Sequence, residues 1–230
     1  MSKKPSFKLY MLFSIMFAAS IACLSSNISS SSQTTAATSI PSTGGGDGTL
    51  FFDDFNDPDS GWDRYFDEEG STDYRNSKYR INVTDTSQIF WANPGKSFTD
   101  VRVEVDATFV DGEADNSFGI ICRHIDTDNF YALLVSSDGY FAIRKRVNGS
   151  PLEMISGDGF TYSDDIPQGE VRLRLAAECV GDTLRLYVND ILLSEVKDGD
   201  LQYGDVGLIA TTFEVDHTTI DFDNFTVLEP

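Results

Sequence analysis

Two carboxylates on one strand face are the residues whose types and spacing come nearest to chemistry in this chain. In Val101–Phe109, VRVEVDATF, the apolar Val101, Val103, Val105, Ala107 and Phe109 alternate with Arg102, Glu104, Asp106 and Thr108. A period of two puts Glu104 and Asp106 on the same wet face, about 7 Å apart by backbone rise. A retaining glycosidase needs a nucleophilic and an acidic carboxyl about 5–5.5 Å apart. No acid on another strand can be picked out to complete such a pair, and Arg102 and Glu104 are equally read as partners for neighbouring strands. Nucleophilic triads are discounted. His124 and His217 are the only histidines, no nucleophile elbow is present, and neither His has zinc-ligand spacing.

Sugar recognition asks for different residues: aromatic rings for stacking beside fixed hydrogen-bonding groups. Strand parity turns Tyr140 and Arg144 outward on one run, Arg123 on a second, and Arg102, Glu104 and Asp106 on a third. Trp91 and Tyr131 join them as candidates, although FYALLV is apolar in both parities and leaves their faces open. Trp62, in a Ser-Gly-Trp turn, is read as structural. Hard oxygen ligands are also plentiful, since Asp outnumbers Glu by 27 to 10. Most of these Asp fall where turns are expected and close loops. The rest could hold one or more structural Ca²⁺ ions, which need clustered hard oxygen ligands.

The elements that must position these groups are strands. Residues 171–196, VRLRLAAECVGDTLRLYVNDILLSEV, alternate apolar and polar residues in two runs parted by Gly181-Asp182, and Asn189-Asp190 turns the chain into a third. Similar runs cover 49–55, 73–83, 87–92, 98–110, 116–125, 128–136, 140–147, 151–156, 205–213 and 217–228. Asp138-Gly139 and Asn148-Gly149 are strong hairpin signals. No segment has a helical period of useful length. An all-β fold of two stacked antiparallel sheets is predicted.

The N-terminus reads as an address. Lys3, Lys4 and Lys8 precede an apolar run from Leu9 to Ala22, shorter than the roughly 20 residues of a membrane span. Residues 1–22 are expected to be a signal peptide, and Ser20-Ile21-Ala22-Cys23 resembles a bacterial lipobox that would acylate Cys23. Residues 23–48 are rich in Ser, Thr and Gly and cannot bury a core, so they form a linker; 49–230 is one domain. The formal net charge of −20, more negative still once the three lysines are removed, argues against nucleic acid as a partner. In an oxidising compartment Cys122 and Cys179 are expected to pair, because parity points both into the core.

Four stretches carry a family likeness: LFFDDFNDPDSGW (50–62), FGIICRHIDTDNFYALLVSSDGYFAIRK (118–145), LRLYVND (184–190) and IDFDNFTVLEP (220–230). Together they resemble the concanavalin A-like jelly roll, and more narrowly the laminin-G-like and 3-keto-disaccharide-hydrolase-like domains of bacterial lipoproteins. The resemblance implies a Glu-x-Asp-x-Glu or Glu-x-Asp-x-x-Glu strand in the glycosidases. Glu104 and Asp106 match its first two positions, but the third falls on Thr108 or Phe109, neither of which can protonate a leaving group. It also implies pairing of the first and last strands, bridged by Ca²⁺ in many members, which makes Asp54, Asp57, Asp221 and Asp223 the candidate ligands. The expected function is a lipid-anchored surface protein whose jelly roll binds carbohydrate or another extracellular ligand. A glycoside-acting enzyme and an adhesion domain without a small-molecule site are the alternatives.

Overall fold

The computed structural model describes residues 48–168, 172–214 and 217–230. The expected signal peptide, Cys23 and almost all of the expected linker lie outside the described residues. The alternating runs become strands in chain order: β1 (Thr49–Asp53), β2 (Tyr65–Phe66), β3 (Gly70–Tyr74), β4 (Tyr79–Val83), β5 (Ile89–Ala92), β6 (Val101–Gly112), β7 (Asn116–Asp126) and β8 (Asn129–Val135). They continue as β9 (Tyr140–Arg146), β10 (Glu153–Met154), β11 (Thr161–Tyr162), β12 (Arg172–Val180), β13 (Thr183–Val188), β14 (Ile191–Lys197), β15 (Asp205–Thr212) and β16 (Thr218–Leu228). No helix occurs among the described residues.

Two antiparallel sheets result. The nine-stranded sheet runs β14-β13-β12-β6-β16-β4-β3-β2, with β1 paired to β16; the seven-stranded sheet runs β10-β9-β8-β7-β15-β5, with β11 paired to β9. Thr49 lies opposite Leu228 and Asp53 opposite Phe225, so the first and last strands do pair. Side chains of one parity from each sheet meet in the middle. Val103, Val105 and Leu175 from one sheet and Ile120, Leu133 and Leu208 from the other are fully buried there. Burying a side chain of this size contributes about 1.5–3 kcal/mol, which makes this layer the main source of stability.

Turn chemistry fixes the register. Asn189 and Asp190 both have positive φ (50° and 67°), as a two-residue hairpin with the right twist requires. The stretch 73–83, expected as one strand, is instead the hairpin β3–β4. Asn76 and Ser77 take φ of 54° and 58°, and Arg75 and Lys78 exchange backbone hydrogen bonds across them. β2 and β11, two residues each, were too short to show a period.

Cys122 on β7 and Cys179 on β12 form a disulfide with Cα atoms 6.8 Å apart, joining one sheet to the other. Beside β1, Asp53 is a buried hub. It accepts hydrogen bonds from the Trp62 indole N–H (3.0 Å), Ser60 Oγ (2.5 Å) and the Phe55 backbone N–H (2.7 Å). Trp62 is therefore structural, wedged against Phe55 and Phe225.

Candidate functional site

The outward faces of the two sheets have opposite character. Arg102, Glu104 and Asp106 stand on the outer face of the nine-stranded sheet, inside a ladder of ion pairs. Glu104 accepts from Arg102 Nε (2.7 Å) and Arg174 Nη2 (2.8 Å); Asp106 accepts from Arg172 Nη2 (2.6 Å) and the Asn224 amide (2.9 Å). Glu178 continues the ladder to Arg102 and Arg185. Partial burial works to raise the Glu104 and Asp106 carboxyls, but these cations and hydrogen bonds outweigh it and hold both below the usual carboxylate range. A carboxylate kept ionised in this way cannot serve as a general acid at neutral pH.

The other sequence candidates are distributed across the molecule. Arg123, expected to point outward, is 2% exposed. Its φ of 54° and a register shift between Cys122 and Asp126 break the parity, and Nη1 donates to the Leu201 carbonyl at 2.6 Å. Tyr131 also turns inward. It donates to Asp198 Oδ1 (2.6 Å) and accepts from the Leu201 N–H (3.1 Å), and burial raises its phenol well above the ordinary value. Arg144 is half-buried on the outer side of β9 and donates to the Leu152 carbonyl. Tyr140 is exposed, edge-on to Tyr162 at 5.5 Å, and lines a cavity of about 550 Å³ with Asn116, Ser136, Phe160 and Phe213. The eight residues expected to share a ligand surface therefore do not share one.

The proposed Ca²⁺ ligands do not converge either. Asp221 is held by Arg80 (2.6 and 2.9 Å) and Asp223 by Lys78 (3.1 Å), while Asp54 and Asp57 close Asx turns onto Asn56 and Asp59. Among the described residues no three acidic, His or Cys side chains gather as a cation site would require.

Trp91 leads to a better-formed site. It sits half-buried on the outer side of β5, its ring 5.7 Å from that of Phe130. Beside it a cleft of about 520 Å³ opens where β2–β3, the edge of one sheet, meets β5, the edge of the other. Tyr65, Phe90 and Trp91 supply rings; Asp63, Asp67 and Gln88 supply polar groups. Tyr65 is 54% exposed and lies 5.8 Å from Phe90.

Local sequence builds these walls. Asp67 Oδ1 accepts the N–H groups of Glu69 (2.8 Å) and Gly70 (2.9 Å), closing the β2–β3 turn, and Oδ2 accepts the Tyr65 hydroxyl at 2.7 Å. The Tyr65 hydrogen bond, aided by these N–H groups, lowers the Asp67 carboxyl. Gly70 is required at the seam, since a Cβ there would stand 2.6 Å from the Asn82 carbonyl oxygen and 2.8 Å from the Phe90 ring. Asp63 is pinned by the Tyr79 hydroxyl on its carbonyl and by backbone pairing with Asn93 (3.1 Å). Of these residues the sequence had singled out Trp91 alone. The Tyr-Phe-Asp-Glu-Glu-Gly run at 65–70, two aromatics before an Asp-to-Gly turn, was the signal available for the rest.

Solved structures share this two-sheet arrangement. A carbohydrate-binding module, CBM66 from Bacillus subtilis, matches at a TM-score of 0.55 and 20% identity, over 74% of this chain and 96% of that one. A β-glucanase from Bacillus licheniformis matches at 0.58 and 9%, over 78% and 98%. A Bacillus subtilis protein of unknown function with a galectin-like fold matches at 0.56 and 12%, over 79% and 96%. The chain folds as a concanavalin A-like jelly roll. At these identities the likeness speaks for the jelly roll and not for a ligand. No family model matches the chain. In sequence, 84 residues of the jelly-roll protein (36% of it) are 31% identical to a TPR repeat-containing protein of Treponema pallidum (strain Nichols), and cover 10% of that protein.

Proposed function

We propose that this jelly roll is a carbohydrate-binding domain held outside the cytoplasm by acylated Cys23 and the 23–48 linker. The observation that carries the reading is the cleft at the meeting of the sheet edges. There the exposed faces of Tyr65 and Trp91 lie beside Asp63, Asp67 and Gln88. Sugars present both an apolar C–H face and a fan of hydroxyls, and rings beside fixed hydrogen-bonding groups match both. The disulfide suits an oxidising compartment. Two of the structural neighbours, by their own descriptions a carbohydrate-binding module and a β-glucanase, use the same fold around glycans. Binding is favoured over hydrolysis because the strand-spaced acid pairs are committed to cations, Glu104 and Asp106 to arginines and Asp221 and Asp223 to Arg80 and Lys78.

The test is a glycan screen of the full-length protein, repeated with Trp91→Ala and Tyr65→Ala. Loss of one stacking ring is expected to weaken binding about tenfold, the equivalent of roughly 1.4 kcal/mol. Binding that survives both substitutions unchanged places the ligand elsewhere.

A further inference from the structure

The cleft does not end at Tyr65. A second groove of about 360 Å³ shares Arg64 and Tyr65 with it and continues past Phe66, Ser71, Arg75 and Arg80. Successive residues of a strand face opposite ways. Tyr65 at the sheet edge lines both hollows, whereas Phe66 lines only the second. Phe66 is 85% exposed and makes no ring contact among the described residues, so folding gives no reason for an aromatic there. Tyr65 stands between the two hollows and Phe66 extends that ridge along the second alone.

We infer that the two hollows are subsites of one groove, and that its ligand is a linear neutral glycan bound along its length across the Tyr65–Phe66 ridge. The inference rests on the carbohydrate-binding reading above and adds chain length and charge class to it. Length follows from the geometry: a terminal sugar in the first hollow leaves Phe66 unused, whereas a chain of several residues meets both rings. Charge class follows from the walls. Asp63, Asp67 and Glu69 line the first hollow. Arg64 and Arg80 in the second are already tied to Asp73 and Asp221 at 2.6 Å each. Arg75 is the third cation of that wall; one arginine against the acids of the first hollow and a chain that carries −20 offers hydrogen bonds to hydroxyls but no strong site for a polyanion.

The probes are β-1,3-gluco-, β-1,4-gluco-, β-1,4-manno- and β-1,4-galacto-oligosaccharides of one to eight residues, with pectin and alginate fragments as anionic controls. Titrations use the full-length protein and its Phe66→Ala variant, whose thermal midpoint is checked against the parent. In at least one neutral series, affinity is expected to climb over several residues. Phe66→Ala should then weaken the long oligosaccharides about tenfold while leaving mono- and disaccharide binding unchanged. Affinity that is complete at a monosaccharide, indifference to Phe66→Ala, or preference for the anionic chains overturns the extended neutral groove and leaves carbohydrate binding standing. Absence of binding to every probe and every glycan of the wider screen removes both.

Discussion

Asp205 shows how a single buried carboxyl sets a pH dependence. It lies at the start of β15 opposite His124, and burial pushes its pKa up to about 6 despite the N–H groups of Val206, Lys96 and Gly95. An unfolded Asp titrates near 3.9, so between about pH 4 and 6 the native state holds a proton that the unfolded chain has lost. Stability from this group is therefore present below about pH 4 and is lost as pH rises through about 6. Glu104, Asp106 and Asp198 work the other way: their native values are lowered, and their contribution disappears in acid. Asp205→Asn should raise the urea midpoint at pH 7.5, by an amount equivalent to about 1–3 kcal/mol, and change it little at pH 4. Equal midpoints for variant and parent at pH 7.5 would contradict the assignment. Arg123 teaches a related lesson at this scale. Its positive φ reverses the direction that strand parity gives, and no pattern in RHID announces the bulge that causes it.

At the scale of elements, the link between β7 and β12 carries the clearest consequence. The Cys122–Cys179 bridge closes a sequence separation of 57 residues across the sandwich, which the chain-entropy model values at roughly 4 kcal/mol. Replacing both cysteines with alanine should lower the unfolding free energy by about that amount, measured by urea denaturation under non-reducing conditions. A double variant as stable as the parent would show that the cross-link constrains nothing. Long strands with strict alternation, such as β6, β12 and β13, were legible in sequence together with their faces, and so was the pairing of the two sulfurs. The β3–β4 hairpin was not, because Asn76-Ser77 lacks the glycine that usually marks such a turn. The edge that forms the cleft was hidden for a similar reason. β2 has two residues, too few to show a period, and its neighbour across the seam, β5, belongs to the other sheet. Sequence parity assigns a residue to a face; it does not say which faces become neighbours.

At the scale of the whole molecule, charge and the proposed lipid anchor bear on where the domain works. A chain with 37 acidic against 17 basic residues repels polyanions. Lipidation at Cys23 is expected to place the protein in the membrane fraction, and Cys23→Ala, expressed in a bacterial host, should move it to the soluble exported fraction. A processed variant that remains with membranes would contradict a lipid anchor. The distribution of polar and apolar groups across the jelly roll gives the central claim its location. One outer face is a closed ladder of ion pairs, the ring-lined hollow at Tyr140 is a separate one that reaches Phe213, whose carbonyl accepts from the Ser87 N–H, and the open aromatic edge lies at β2, β3 and β5. The most direct measurement is an amide and side-chain NMR shift map of the protein titrated with a neutral oligosaccharide selected by the screen. Shifts concentrated on Tyr65, Phe66, Gln88 and Trp91 are the expected result. Shifts confined to Tyr140, Phe160 and Phe213, or to the Glu104–Arg174 ladder, would contradict the placement of the site.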